Sequence, residues 1–132
     1  MNAKEVYTEE VIMANLFLLR IAPSLKGYTY FKEAIRMILQ DGRYRINVHR
    51  LLFAEVAKKY GTQAYIVDRA LRNAIETGYQ RGGMREFVRV TKMHFSNSKP
   101  CPREILLLVA DNIKFQIDRF DSSAKDSWEE LF

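Results

Sequence analysis

Val56-Ala57-Lys58-Lys59-Tyr60-Gly61-Thr62-Gln63-Ala64-Tyr65-Ile66-Val67-Asp68-Arg69-Ala70-Leu71-Arg72 reads as two helices meeting at a glycine. Val56, Ala57 and Tyr60 form a short apolar stripe at helical spacing, and the small Ala57 leaves room for a second helix to cross close by. Gly61 turns the chain, because a left-handed backbone is cheap for glycine and costs a residue with a Cβ about 1–2 kcal/mol. Thr62 is the expected N-cap of the second helix, its hydroxyl available to the free first-turn amides. This is the grammar of a helix-turn-helix.

The second helix, expected over residues 62–80, carries two faces. Val67, Ala70, Leu71, Ala74, Ile75 and Gly78 fall at i, i+3, i+4, i+7, i+8 and i+11 and form a buried stripe. Tyr65, Arg69, Arg72 and Glu76 point the other way, with Ile66 and Asn73 on one flank and Asp68 on the other. A helix that reads DNA needs this division: one face locked by packing, the other offering side chains to base edges from its N-terminal half. A solvated charged face would show the same division, but the preceding Ala-x-x-Tyr-Gly-Thr turn favours the recognition helix. On this reading Tyr65, Ile66, Asp68 and Arg69 meet base edges. Lys58, Lys59, Thr62, Arg72, Asn73 and Arg81 are expected to engage phosphates and fix register.

The charge supports a polyanionic partner. The 132 residues carry 21 Lys and Arg against 16 Asp and Glu, a net charge of +5. From Val11 to Gln80 the balance is eleven bases to five acids, and from Arg81 to Arg103 six to one. It reverses from Glu104 to Phe132, three to seven. The positive excess thus sits on and just after the second helix, where a polyanion would be met. No apolar run reaches membrane-spanning length and no signal-peptide pattern opens the chain, so no membrane partner is expected. A single cysteine excludes an internal disulfide, which suits a cytoplasmic location.

Elsewhere helical periodicity dominates, with no strand-like alternation long enough for a sheet. Thr8 followed by Glu9 and Glu10 predicts a helix from Thr8 to about Ile21, stopped by Pro23. A second is expected from Tyr28 to Gln40 with Phe31, Ala34, Ile35 and Ile38 buried, and a third from about Asn47 to Tyr60. Gly82-Gly83 breaks the chain before a short helix from Met84 to Val90, and a polar connection follows from His94 to Pro102. The last helix starts near Pro102 and buries Ile105, Leu108, Val109, Ile113 and Ile117, with Asn112 as the polar exception. Phe31 is expected in the core and Tyr28 and Tyr30 half-buried, rather than forming a base-stacking platform. The fold class is therefore all-α, a single compact domain of about six helices over residues 1–120. An acidic tail, 121–132, is expected to be loosely held, with Trp128, Leu131 and Phe132 as its apolar cluster.

Other chemistries find no pattern. His49, His94 and Cys101 lack metal-ligand spacing, so no metal or other cofactor is expected. Ser96, Ser98 and Cys101 stand near His94 without an orienting acid or oxyanion donor, so no catalytic residue is assigned and no enzyme is expected.

Several runs carry a more specific signal. They are Lys26-Gly27-Tyr28-x-Tyr30-x-Lys32-Glu33-Ala34-Ile35, Ala57-Lys58-Lys59-Tyr60, Val67 to Glu76, Arg81-Gly82, Lys99-Pro100 and Val109-Ala110-Asp111. Over about Val11 to Phe120 the chain resembles the DNA-binding effector domain of the stage zero sporulation protein A family, the response regulators of endospore formation. The resemblance implies an all-helical domain that binds short boxes in double-stranded promoter DNA, often as a homodimer or tandem protomers, to activate or repress transcription. It also implies an RNA polymerase sigma factor as a partner, but the family's contact lies between Gly83 and Lys99, which differs here in length and character, so that contact is not carried over. Arg69 and Arg72 match the family's recognition-helix arginines, and Asp68 stands where the family has a glutamate. Ile66 replaces a base-reading arginine and Tyr65 a serine, so an altered sequence preference is expected. Family members carry a receiver domain before this one, whereas about ten residues precede the first helix here. Both an excised effector domain and a naturally receiver-less, stand-alone relative fit this. The alternative is an interaction module that modulates a full-length relative with weak or no DNA binding.

Overall fold

The computed structural model describes the backbone of residues 2–97 and 99–131, and side chains over the same span except residue 120 and those from 122 onward. Helix α1 (Ala3–Leu18) opens on a capping box: the Asn2 side chain accepts from the Glu5 amide at 2.8 Å while the Glu5 carboxylate accepts from the Asn2 amide. Thr8 is therefore not the cap. It lies a turn inside the helix, where its hydroxyl donates to the Lys4 carbonyl at 2.8 Å. The far end also closes earlier than expected, and Pro23 is not what closes it. Arg20 takes a left-handed φ of 59°, its amide donates to the Phe17 carbonyl and the Ile21 amide to the Leu16 carbonyl, and both Leu16 and Ile21 are buried. Both terminal carbonyls are thereby satisfied in a Schellman turn.

Helix α2 (Lys26–Gln40) begins two residues before the expected Tyr28 and ends where expected. Phe31, Ala34, Ile35 and Ile38 are all buried. Tyr28 and Tyr30 are buried rather than half-buried, and the Tyr30 ring meets Tyr60 edge-on with centroids 5.4 Å apart. After a 3-10 turn (Gly42–Arg45), Asn47 caps a single π turn (Val48–Leu52) that runs straight into α3 (Phe53–Lys59). The helix expected from Asn47 to Tyr60 is thus present, with a widened first turn in which the Phe53 amide reaches back to Val48.

Helices α4 (Ala64–Gln80), α5 (Gly83–Thr91) and α6 (Pro102–Leu131) complete an all-helical single domain, with no strand among the described residues. One hydrophobic core joins all six helices, centred on Leu16, Phe31, Leu71, Phe87, Ile105 and Val109. Asn112 is explained by Asn15, a partner 97 residues away. Its amide donates to the buried Asn15 Oδ1 at 2.8 Å, and Gln116 accepts from both asparagines at 3.2 Å. A closed polar network therefore pins α1 to α6 inside the apolar core. The backbone of α6 continues helically through 121 to Leu131, while the expected apolar cluster at Trp128, Leu131 and Phe132 lies outside the described side chains.

Glycines set how closely α4 is seated. A Cβ on Gly27 of α2 would stand 2.3 Å from the Ala70 carbonyl oxygen and 2.7 Å from the Ala74 Cβ. At the other end, a Cβ on Gly78 or Gly83 would strike the Leu19 carbonyl oxygen at 2.3 or 1.9 Å. Helix α4 is therefore clamped by backbone contact against α2 near its middle and against the end of α1 at its C-terminus, leaving one face free.

Candidate nucleic-acid interface

The joint between α3 and α4 is built as a Schellman turn. Gly61 has φ 64°, the Thr62 amide bonds the Ala57 carbonyl at 2.9 Å and the Gly61 amide bonds Lys58 at 3.4 Å. Thr62 is consequently a correction to the sequence reading: its amide finishes α3, and the N-cap of α4 is Gln63, in an extended conformation with no side-chain cap. The recognition-type helix starts at Ala64, two residues later than expected. Val67, Leu71, Ala74, Ile75 and Gly78 are buried as the stripe requires, and Ala70 is partly buried against Gly27.

On the free face Tyr65 is 62% exposed, Arg69, Arg72 and Asn73 are exposed, and Ile66 and Asp68 are half-buried on the flanks. Arg72 and Asp68 are tied to each other, Nε to Oδ1 at 3.1 Å, in the favourable order of acid one turn before base. Lys59 reaches back to Glu33 of α2 at 2.8 Å, and the same carboxylate accepts from Arg36 at 3.1 Å. Glu33 is buried, so its two cations keep a desolvated charge compensated. Lys58 and Arg69 are exposed and have no ion-pair partner among the described residues.

Arg81 stands apart from this group. It lies twelve residues beyond Arg69, roughly 18 Å along the axis and, at about 100° per residue, about 160° around from Tyr65. It lines a different groove, with Phe17, Arg20 and Glu86. A basic residue that sequence reasoning left unassigned stands closer. Lys99, from the connection before α6, meets Glu76 on the free face of α4 at 2.5 Å and lies 5.6 Å above the Tyr79 ring. Its ammonium, hydrogen-bonded to Glu76, holds that carboxyl below the usual carboxylate range. Nothing in the spacing of a residue 23 positions away could have shown that pairing.

His49 packs edge-on to Phe53 with centroids 5.1 Å apart, and Cys101 is exposed. No group of three His, Cys, Asp or Glu side chains among the described residues could hold a metal, and no helix there is long and apolar enough to cross a membrane.

Most of the chain matches a known family. Residues 12–113 fit the profile described as sporulation initiation factor Spo0A C terminal. The chain belongs to this family. It is a sporulation-regulator effector domain of the DNA-binding, transcription-regulating kind. In this Spo0A C-terminal fold the match starts at Ile12 and ends at Ile113, so it takes in the whole of α2 to α5 together with the Asn15–Asn112 tie between α1 and α6.

Proposed function

We propose that this domain regulates transcription by placing α4 in the major groove of a promoter box, with Tyr65, Ile66, Asp68 and Arg69 toward base edges. The observation that carries this reading is the exposed, unpaired Arg69 in the N-terminal half of a helix whose opposite face is fixed by backbone-close packing. A rigid helix with a free guanidinium is what bidentate reading of guanine requires. Lys58, Lys59, Thr62, Arg72 and Asn73 flank it as phosphate contacts, whereas Arg81 lies too far around the helix to join them. Ile66, half-buried on one flank, offers a methyl-bearing surface that fits thymine and cannot hydrogen-bond to guanine. Tandem or dimeric protomers, a sigma-factor partner and a cytoplasmic site of action belong to the same proposal.

The test is a polarisation titration against the family's promoter box and a scrambled duplex across a salt series. With about four to six phosphates neutralised, log affinity falls with log salt at a slope of about −4 to −5. Arg69→Ala costs about 1–3 kcal/mol on the box and little on the scrambled duplex. A wild-type response that is flat in salt refutes DNA binding and favours the interaction-module reading.

A further inference from the structure

Lys99 lies outside the helix-turn-helix, yet the fold delivers it to the free face of α4. Glu76, which holds it at 2.5 Å, is seven residues after Arg69 on that face, so two turns and about 10.5 Å further along the axis. The major groove is about 12 Å wide. If Arg69 reads bases near the groove floor, the segment of α4 at Glu76 has reached the groove's edge, where the phosphates run. A bare carboxylate there would repel DNA. Lys99 cancels that charge, and its ammonium lies 5.6 Å from the centre of the Tyr79 ring while the side chain stays about half exposed.

We propose that Lys99 is a further phosphate-contacting residue, supplied by the 92–101 connection, and that Glu76 is the internal counter-charge that holds it in position until a phosphate replaces the carboxylate. The inference rests on the DNA-binding reading above. The exchange is cheap, because an exposed ion pair such as Lys99–Glu76, 55% and 40% accessible, contributes little to stability. Glu76 therefore also sets overall affinity: it weakens binding to every duplex alike and leaves the ratio of box to non-specific binding unchanged.

The experiment titrates wild type, Lys99→Met, Lys99→Arg and Glu76→Gln against the box and the scrambled duplex from 50 to 200 mM salt, values set by the range over which counterion release is read. Methionine keeps an unbranched apolar stem and removes the charge, and with it the ammonium's contact with the Tyr79 ring. Lys99→Met is expected to weaken both duplexes equally and to flatten the log–log slope by about 0.9, a loss of about 3.5-fold in the gain seen on fourfold dilution of salt. Lys99→Arg keeps the slope, and Glu76→Gln tightens both duplexes. A wild type that binds steeply, with an unchanged slope in Lys99→Met, overturns the Lys99 assignment and leaves DNA binding standing. A loss confined to the box also overturns it, since a phosphate contact cannot discriminate. A wild type that binds neither duplex removes both readings together.

Discussion

Gly27→Ala tests the seating of α4 most directly. The new Cβ would lie 2.3 Å from the Ala70 carbonyl oxygen, 2.7 Å from the Ala74 Cβ and 3.0 Å from the Ala70 carbonyl carbon. Ordinary contact begins near 3.4 Å, so α2 and α4 must separate by roughly 1 Å. The atoms met are mostly main chain, and a rotamer change cannot relieve the contact. Overpacking of this kind costs typically 1–3 kcal/mol, and the upper end applies where backbone must move. Against it stands the better helix propensity of alanine, about 1 kcal/mol. The net loss is about 2 kcal/mol, which for a domain of this size lowers Tm by roughly 6–10 °C. Gly42→Ala is the control, because a Cβ there meets nothing within 4 Å and the backbone is not left-handed. Thermal unfolding followed by circular dichroism reads both variants. A Tm for Gly27→Ala equal to or above wild type would show that the propensity gain dominates and that α4 is not held by backbone contact.

Two further predictions concern the turn and the α1–α2 ion pairs. Gly61→Val costs about 1–2 kcal/mol or more in urea unfolding, purely from the backbone, because φ is 64° and the site is open. Gly61→Asn, which tolerates that conformation, recovers most of the loss, and equal stability of Val and Asn variants would contradict the left-handed turn. For Glu9, burial pushes the carboxyl up, but Arg36 and Lys32 hydrogen-bonded to it outweigh that and hold it below the usual carboxylate range. A depressed folded pKa gives stability that is fully present above the unfolded value of 4.5 and is lost as pH falls through the lower folded value. Glu9→Gln therefore costs about 1–2 kcal/mol near neutral pH and converges on wild type as the acid limb is descended. A stability gap that does not change with pH would mean that Glu9 acts by packing alone.

The sequence made legible what depends on neighbours within a turn or two. The buried stripe of α4, the left-handed Gly61 and the break at Gly82, with φ 80°, are local consequences of spacing and of glycine's missing Cβ. The capping errors were also local, but each involved two competing motifs. Asn2 and Glu5 cap α1 in place of Thr8, and the Schellman turn consumes Thr62 and needs Gln63 as an extended step before α4 can begin. Arg81 could have been set apart from periodicity alone. What no local pattern carries is the long-range set: Asn15 with Asn112, Lys59 with Glu33, Lys99 with Glu76 and the α2–α4 contact at Gly27. Those pairings exist only once the helices have packed.

These long-range pairs change how the positive charge of the sequence should be counted. A tally around the turn credits Lys58, Lys59, Arg69 and Arg72 equally to the polyanion, but only Lys58 and Arg69 lack an internal partner among the described residues. Arg72 gives up Asp68 at little cost, because that pair is exposed on one side and spans a single turn. Lys59 is differently placed, since its departure would leave the buried Glu33 with Arg36 as its one remaining cation. Uncompensated burial of charge costs more than a surface pair contributes, so Lys59 serves the α2–α3 joint first and a phosphate second. On the proposed DNA-binding reading, the free energy available for gripping the backbone is concentrated in Lys58, Arg72 and Lys99, which lie on both sides of Arg69 along the chain. A helix held on two flanks by exchangeable cations and from behind by glycine contacts can insert one guanidinium at a fixed depth, and that fixed depth is what allows a single arginine to discriminate among bases.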